Sequence, residues 1–134
     1  MTGDEKNFRI SAAITCAEDV VVARQRGRTL ARAMGFSPSD ATLVAAAISE
    51  LARNIVRYAE RGELLIGKDD DGMLFVVARD AGPRIVDIEA AMRPGYSTSG
   101  GLGMGLPGVK RIADSFELVS NPAGTTVTMR KRKR

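Results

Sequence analysis

The glycine-rich stretch from Gly100 to Gly108 constrains the fold more than any other part of the chain. Five of its nine residues are glycine, and Leu102, Met104 and Leu106 alternate with them. Because glycine has no Cβ, such a segment can adopt left-handed dihedral angles and lets another group approach the backbone closely. Flexible linkers usually lack regularly spaced apolar residues. The pattern therefore favours a loop with a defined conformation over a flexible linker.

The residues after this loop predict a helix from about Gly105 to Ser115, because apolar residues recur there at helical spacing. A glycine-rich loop that leads into a helix directs unpaired N–H groups and the positive end of the helix dipole to one place. That arrangement suits a phosphate group, and we interpret the loop as a phosphate-binding one.

Composition narrows the possible functions. A chain of 134 residues with 44% hydrophobic residues predicts a single domain. With Cys16 as the sole cysteine, a polar N-terminus and no long apolar run, we expect a cytoplasmic protein that does not enter a membrane. The sequence contains no histidine, which excludes a histidine general base and a phosphohistidine relay within the chain.

The basic character of the chain comes from its C-terminal end, Arg130 to Arg134. The net charge is +4, yet without these five residues fifteen basic and sixteen acidic residues remain. Because the rest is near neutral and aromatic residues are few, we expect no nucleic-acid partner. We expect the tail, from about residue 130, to be solvated and dispensable for the chemistry.

Apolar periodicity predicts a strand from Phe8 to Ile14, followed by two helices. Thr15 and Glu18 have the spacing of a capping box for the first helix, which is predicted to end at Gly35. Ser37 as N-cap and Pro38 at the first helical position predict the start of the second helix. Apolar stripes run along both helices: Val20, Ala23, Gly27, Leu30 and Met34 on the first, and Val44, Ile48, Leu51 and Ile55 on the second.

Four more strands complete the prediction. Two of them, 63–67 and 73–79, form a hairpin around Asp69 to Gly72, and two others, 116–120 and 125–130, form a second hairpin. A short helix is predicted over 87–92. This order predicts an α+β fold: a two-layer sandwich with a mixed, mostly antiparallel sheet and helices on one face. It does not consist of βαβ units, and no G-x-x-x-x-G-K-[ST] motif occurs.

Polar residues interrupt the apolar pattern at two further places. Glu50 and Asn54 are four residues apart on the second helix, so they share one face. A carboxamide oxygen is a good ligand for a hard metal ion and a carboxylate can accept a proton, although a pair at the edge of the core is an equally good interpretation. Asp80, followed by Gly82, ends a predicted strand, where it is suited either to a turn or to an exocyclic amine such as that of adenine.

Together these segments resemble the GHKL, or Bergerat, family of ATPases and kinases. Residues 49–55 (SELARNI) resemble its N-box, residues 80–83 (DAGP) its first glycine box, and residues 101–106 (GLGMGL) its second. The resemblance covers about residues 8–130. Residues 96–103 and 106–111 resemble most the RsbT-type serine/threonine switch kinases, which phosphorylate STAS-domain proteins of the stressosome and then activate a PP2C-type phosphatase.

The resemblance implies the cofactors ATP and Mg²⁺ and a role for each motif. Asn54 would hold Mg²⁺, and Glu50 would act as general base. Asp80 would receive the adenine amine, Gly82 would let the base approach, and Thr125 would line its pocket. The phosphates would bind to a lid, expected at about residues 93–105 and to be mobile without nucleotide, through the second glycine box: Gly100, Gly101, Leu102, Gly103, Met104 and Gly105.

One residue departs from the family pattern. The first glycine box usually carries a second glycine where this chain has Arg84, and this arginine either turns outward or reaches a phosphate as a fixed cation. Arg84 favours an alternative function, a non-catalytic GHKL module that sequesters a sigma factor or a STAS partner. Glu50 and Asn54 favour the kinase.

Overall fold

The computed structural model describes residues 9–82 and 105–134. In chain order these residues form β1 (Arg9–Ile14), α1 (Ala17–Ala33), α2 (Pro38–Tyr58), β2 (Gly62–Lys68), β3 (Leu74–Asp80), α3 (Gly105–Ile112), β4 (Ser115–Asn121) and β5 (Gly124–Lys131). The helix predicted over 87–92 and most of the proposed lid lie outside the described residues.

The strands form one sheet in the order β1-β2-β3-β5-β4. Each neighbouring pair is antiparallel, so the prediction of a mixed sheet is wrong for this part of the chain. The physical reason lies in the position of β5. Strands β3 and β4 run in the same direction, but β5 is inserted between them and pairs with both.

One face of the sheet is buried under α1 and α2. The inward side chains alternate along the strands as predicted, with Ile14, Leu64, Ile66, Val76 and Met129 fully buried. All four predicted apolar residues of α2 are also buried (Val44, Ile48, Leu51 and Ile55). The two-layer α+β sandwich is therefore confirmed.

The two long helices differ in how well the sequence predicted their starts. The predicted cap of α2 is correct, because Ser37 Oγ accepts a hydrogen bond from the Asp40 N–H at 3.1 Å. The capping box at Thr15 and Glu18 is wrong: α1 has Cys16 as N-cap, and Asp19 accepts bonds of 2.9 Å from the N–H and hydroxyl of Thr15. These bonds lower the pKa of Asp19.

The C-terminal end of the chain is attached to the fold, although Arg130 and residues 132–134 are exposed as predicted and Lys131 alone of the tail is buried. Strand β5 extends to Lys131, which is buried and whose Nζ donates to the carbonyl of Ile112 at 3.1 Å. Asp114 accepts a hydrogen bond from the Arg132 N–H at 2.7 Å and pairs with the Arg134 guanidinium. These contacts lower the pKa of Asp114 to about 2.

Among residues 9–82 and 105–134, no helix combines the length and apolar character that a membrane crossing requires. The same ranges contain no group of three acidic, histidine or cysteine side chains placed to hold a metal ion. The three consecutive aspartates at 69–71 form a turn instead, in which Asp69 Oδ1 accepts bonds from the N–H groups of Asp71 and Met73 at 2.9 and 3.0 Å.

Candidate active site

Helix α2 presents Glu50 and Asn54 one turn apart on the same face. Their neighbours Leu51 and Ile55 belong to the core and are 1% and 2% exposed, which fixes the rotation of the helix. Glu50 is itself only 3% exposed, and Asn54 is half-buried. The core packing of α2 therefore carries two polar side chains to the edge of the protein interior.

Arg53 forms an ion pair with Glu50, which offsets part of the free-energy cost of burying the Glu50 carboxylate. Its Nη1 lies 3.1 Å from Glu50 Oε1, and the Arg53 side chain is 44% exposed while that of Glu50 is 5% exposed. Within the described residues, no other hydrogen bond reaches the Glu50 carboxylate. Arg53 is not among the site residues predicted from the sequence, although the i,i+3 spacing of opposite charges on a helix was the signal that could have revealed it.

Asn54 differs from Glu50 because its side-chain oxygen has no hydrogen-bond partner among the described residues. Its Oδ1 is fully buried and accepts no hydrogen bond from the part of the chain that the structure describes. An unsatisfied buried acceptor costs about 1–3 kcal/mol, and native proteins contain few of them. An amide oxygen kept free at this cost fits a ligand of Mg²⁺, since hard cations prefer oxygen donors.

The sheet brings the predicted adenine residues together. Asp80, the last residue of β3, is the register partner of Thr125 near the start of β5. Asp80 Oδ1 accepts a hydrogen bond from the Gly82 N–H at 2.9 Å. The Thr125 hydroxyl is buried and lies 2.7 Å from the hydroxyl of Ser120 on β4. A carboxylate and a hydroxyl therefore stand side by side at one end of the sheet.

Two glycines allow the elements of the site to touch. At Gly124, where φ is +136°, a Cβ would lie 1.9 Å from the Asp80 carbonyl oxygen, so any larger residue would push β5 away from β3. At Gly82 a Cβ would lie 2.6 Å from the Cβ of Ala59, the C-cap of α2. The resemblance implies that Gly82 lets the adenine base approach, and in the structure its small size also lets the chain pack against the end of α2.

Gly62, the first residue of β2, lies between α2 and the end of β3. A Cβ on Gly62 would lie 3.0 Å from Ile55 Cγ2 and 3.1 Å from the Cβ of Asp80. Ile55, the residue after Asn54 on α2, and Asp80 at the end of β3 therefore both lie close to Gly62. Helix α3 begins at Gly105 and packs against α2 through its buried residues.

All but one of the remaining predicted site residues lie outside the part of the chain that the structure describes. They are Arg84, Gly100, Gly101, Leu102, Gly103 and Met104. Gly105 is described, and it starts α3 with a φ of +67°. The structure therefore pairs Asp80 of β3 with Thr125 of β5 and packs Ile55, the residue after Asn54 on α2, near the same end of the sheet.

The sequence also matches a known domain family, the histidine kinase-like ATPase domain, over residues 15–131. The chain belongs to this family. The match includes every element from α1 onwards, so that the predicted GHKL-type domain is confirmed for nearly the whole chain. An ATP-binding domain of this type supports the use of ATP.

This histidine kinase-like ATPase domain is similar to the serine/threonine-protein kinase RsbT of Bacillus subtilis (strain 168). The two are 51% identical over 105 residues, which cover 76% of this chain and 79% of the relative. The prediction of a serine/threonine protein kinase is confirmed by this relationship. The roles of the individual site residues stay predictions.

Solved structures resemble this histidine kinase-like ATPase domain in fold. The RsbU and RsbW domains of Rv1364c from Mycobacterium tuberculosis match with a TM-score of 0.67 at 18% identity, over 95% of this chain and 32% of that one. The chain thus spans about a third of that protein. The SiaB–SiaC complex from Pseudomonas aeruginosa matches with a TM-score of 0.65 at 17% identity, over 92% of this chain and 88% of the other.

Proposed function

We propose that this domain transfers the γ-phosphate of ATP to a serine or threonine of a STAS-domain protein in a bacterial partner switch. We further propose that, once released from that protein, it activates a PP2C-type phosphatase. The observation that supports the catalytic part is the pair on α2: a buried carboxylate, and one turn away a buried amide oxygen that has no partner within residues 9–82 and 105–134.

Nucleotide binding is assigned to the end of the sheet and the loop beyond it. Asp80 receives the exocyclic amine of adenine, and Thr125 lines the pocket beside it, which their register pairing supports. Because Oδ1 of Asp80 already accepts the Gly82 N–H, its second oxygen is the one available to the base. Residues 100–105 bind the phosphates, and Arg84 adds a cation there or turns outward.

The metal ligand is Asn54. Its unpartnered Oδ1 fits Mg²⁺ in both chemistry and burial. When bound, the metal ion neutralises charge on the phosphate oxygens. The task of the protein is then to supply one rigid oxygen ligand, and a helix whose neighbouring residues belong to the core provides it.

Glu50 is the general base. As the substrate hydroxyl oxygen bonds to the γ-phosphorus, the bond from that phosphorus to the bridging oxygen breaks, ADP leaves, and the hydroxyl proton passes to Glu50. Arg53 holds Oε1, which orients the carboxylate and leaves Oε2 for the substrate. Such assistance is worth about 10²- to 10⁴-fold in rate, and less where the transition state is loose.

A second candidate is the non-catalytic module that sequesters a sigma factor or a STAS partner. The ion pair between Arg53 and Glu50 favours it, since a carboxylate that is already paired also serves a purely structural purpose. The two candidates differ in one expectation. Only the kinase transfers phosphate from the wild-type protein to its partner.

The deciding experiment combines labelled ATP, Mg²⁺ and the STAS-domain protein encoded nearest to this gene. We expect the wild type to phosphorylate it, and Glu50→Gln to bind ATP with unchanged affinity in calorimetry but to transfer at least about 10²-fold more slowly. Glu63→Gln is the matched control, since Glu63 pairs with Arg79 on the sheet. If Glu50→Gln transfers as fast as the wild type, Glu50 is not the base.

A further inference from the structure

Three polar residues form one row across the end of the sheet. Asp80 on β3 is the register partner of Thr125 on β5, and Thr125 is in turn the register partner of Ser120 on β4. Register partners in an antiparallel sheet project to the same face. This face is the one under the helices, because Val127, two residues after Thr125, belongs to the core. A carboxylate and two hydroxyls therefore stand side by side on the inner face.

The next row on the same face is entirely apolar. Its members are register partners in the order Leu64, Ala78, Val127 and Leu118, and all four belong to the core or pack against it. Thr125 is itself only 8% exposed. Burying a hydroxyl lowers stability unless it is hydrogen-bonded, and a valine of similar shape would fit these neighbours without that cost. The Thr125 hydroxyl is therefore better explained by a ligand than by the packing of the sheet.

The two hydroxyls are hydrogen-bonded to each other. Ser120 Oγ and Thr125 Oγ1 are 2.7 Å apart, and either oxygen could be the donor. A hydroxyl has one proton to donate and can also accept through its oxygen. The direction of this one bond therefore decides what Thr125 offers to a ligand. If Ser120 donates, Thr125 keeps its proton for the ligand, and if Thr125 donates, it offers only an acceptor.

Adenine requires the first of these directions. Its pairing edge carries an amine, which donates, next to the ring nitrogen N1, which accepts. In the proposed site the amine donates to Asp80, and an ionised carboxylate has no proton of its own to give. The donor to N1 must then come from the residue beside Asp80, which is Thr125. Guanine presents an accepting oxygen next to a donating ring N–H, so that neither Asp80 nor the Thr125 proton would find a partner there.

We propose that Ser120 is a positioning residue of the nucleotide site. Its hydroxyl donates to Thr125 Oγ1 and thereby directs the Thr125 proton to N1 of adenine, so that the site selects adenine over guanine. Ser120 itself does not touch the nucleotide and acts through Thr125. This role rests on the proposed function, since it presumes that Asp80 receives the adenine amine.

Calorimetry with ATP and with 1-deaza-ATP, in which a C–H group replaces N1, tests this role of Ser120. We expect Ser120→Ala to weaken ATP binding by about 3- to 10-fold, the size of one hydrogen bond between neutral groups. Binding of 1-deaza-ATP should not change, because this analogue cannot accept the Thr125 proton. GTP affinity should not fall either, so the preference for ATP over GTP decreases. Ser120→Thr keeps a hydroxyl and is expected to restore most of the ATP affinity.

Ser115→Ala is the matched control. Ser115 is the exposed first residue of the same strand, and it faces away from the helices because it is an odd number of positions from Ser120. Loss of its hydroxyl should leave the affinities for both nucleotides at their wild-type values. Thr125→Val removes the donor itself, so that Ser120→Ala should have no further effect on ATP binding in that background.

The outcomes separate the role of Ser120 from the kinase. If Ser120→Ala weakens binding of ATP and 1-deaza-ATP by the same factor, Ser120 only supports the strand, and its positioning role is overturned. Unchanged ATP affinity in Ser120→Ala overturns that role as well, while the kinase stands if the wild type phosphorylates its STAS-domain partner. If Ser120→Ala weakens binding of ATP alone but the wild type transfers no phosphate, the kinase fails and the role of Ser120 stands. A wild type that binds neither nucleotide overturns both.

Discussion

Two groups of polar residues, one at the C-terminal end of the chain and one on α2, differ in how their hydrogen bonds are satisfied. At the C-terminal end, Asp114 binds the backbone of Arg132 and the guanidinium of Arg134, and Lys131 donates to a helix carbonyl. On α2, by contrast, the amide oxygen of Asn54 is buried and has no partner in the described part of the chain. The first group attaches the end of the chain, and the second keeps one polar atom available at a cost in stability.

The difference between these two groups of residues distinguishes polar side chains that stabilise the fold from those that are available to bind a ligand. A polar group whose partners lie within the fold contributes to stability, and its removal lowers the free energy of unfolding. A buried polar group without a partner destabilises the fold, so its removal affects stability little and ligand binding strongly. Variants at the C-terminal end should therefore change mainly the free energy of unfolding, whereas variants of Asn54 should change mainly ligand binding.

The largest effect is expected for Asn54→Ala. Loss of the metal ligand should slow phosphorylation by about 10²-fold or more, because a bound metal ion is worth several kcal/mol of charge stabilisation. The melting temperature should stay the same or rise, since an unsatisfied acceptor has been removed. Thermal unfolding and the labelled-ATP assay measure both. A fall in melting temperature as large as that expected from the loss of a satisfied hydrogen bond would contradict the comparison.

Asn121 provides the matched control for that variant. Its Oδ1 accepts the Ala123 N–H at 2.8 Å in the turn between β4 and β5, so this second asparagine has its partner within the fold. We expect Asn121→Ala to lower the free energy of unfolding by about 1 kcal/mol, the value of one hydrogen bond. Phosphorylation should be unaffected.

A smaller effect on binding is expected for Asp80→Asn. The variant replaces a charged acceptor of the adenine amine with a neutral one, and hydrogen bonds to charged groups are worth about 1.5–3 kcal/mol. ATP affinity in calorimetry should therefore fall by about 10-fold or more. Asp71→Asn in the exposed β2–β3 turn serves as control. Equal affinities for wild type and Asp80→Asn would place the adenine elsewhere.

At the C-terminal end, acid should weaken the fold through Asp114. Its pKa is lowered from 3.8 to about 2 in the folded state, so the contribution is complete above pH of about 4 and is lost as the pH falls towards 2. Asp114→Asn should lose about 1 kcal/mol of stability at pH 7, in the range of one exposed ion pair. The difference from the wild type should shrink at pH 2, while catalysis at pH 7 stays unchanged.

The smallest effect on chemistry is expected from removing residues 132–134. The deletion takes away the partners of Asp114 but none of the site residues, so transfer to the STAS-domain protein should stay within a few-fold of wild type. The melting temperature should fall by about as much as it does in Asp114→Asn, because both changes remove the same contacts. A collapse of transfer at unchanged stability would mean that the tail docks the substrate.

The sequence predicted those parts of the fold that depend on local patterns. Helix α2 followed from Ser37, Pro38 and a 3.6-residue stripe, and the hairpin β2–β3 from alternation around a turn. The start of α1 was predicted one residue too early, because Glu18 and Asp19 are equally good acids and only their positions relative to Thr15 decide between them.

Contacts between distant residues could not be predicted in this way. The attachment of Arg132 and Arg134 to Asp114 spans 18 and 20 residues, and it depends on β5 lying beside β4. For the candidate site, the resemblance to a known family named Glu50, Asn54 and Asp80, whereas the local pair of Arg53 with Glu50 needed only the i,i+3 spacing.

The most direct test of this account is the ratio of ATP affinities with Mg²⁺ and with EDTA, measured by calorimetry for three proteins. In the wild type and in Asn121→Ala, Mg²⁺ should raise the affinity for ATP by the same factor. In Asn54→Ala, the ratio should approach one, because the proposed metal ligand is the Asn54 oxygen that has no partner among the described residues. An Asn54→Ala protein with the full Mg²⁺ dependence of the wild type would contradict the account.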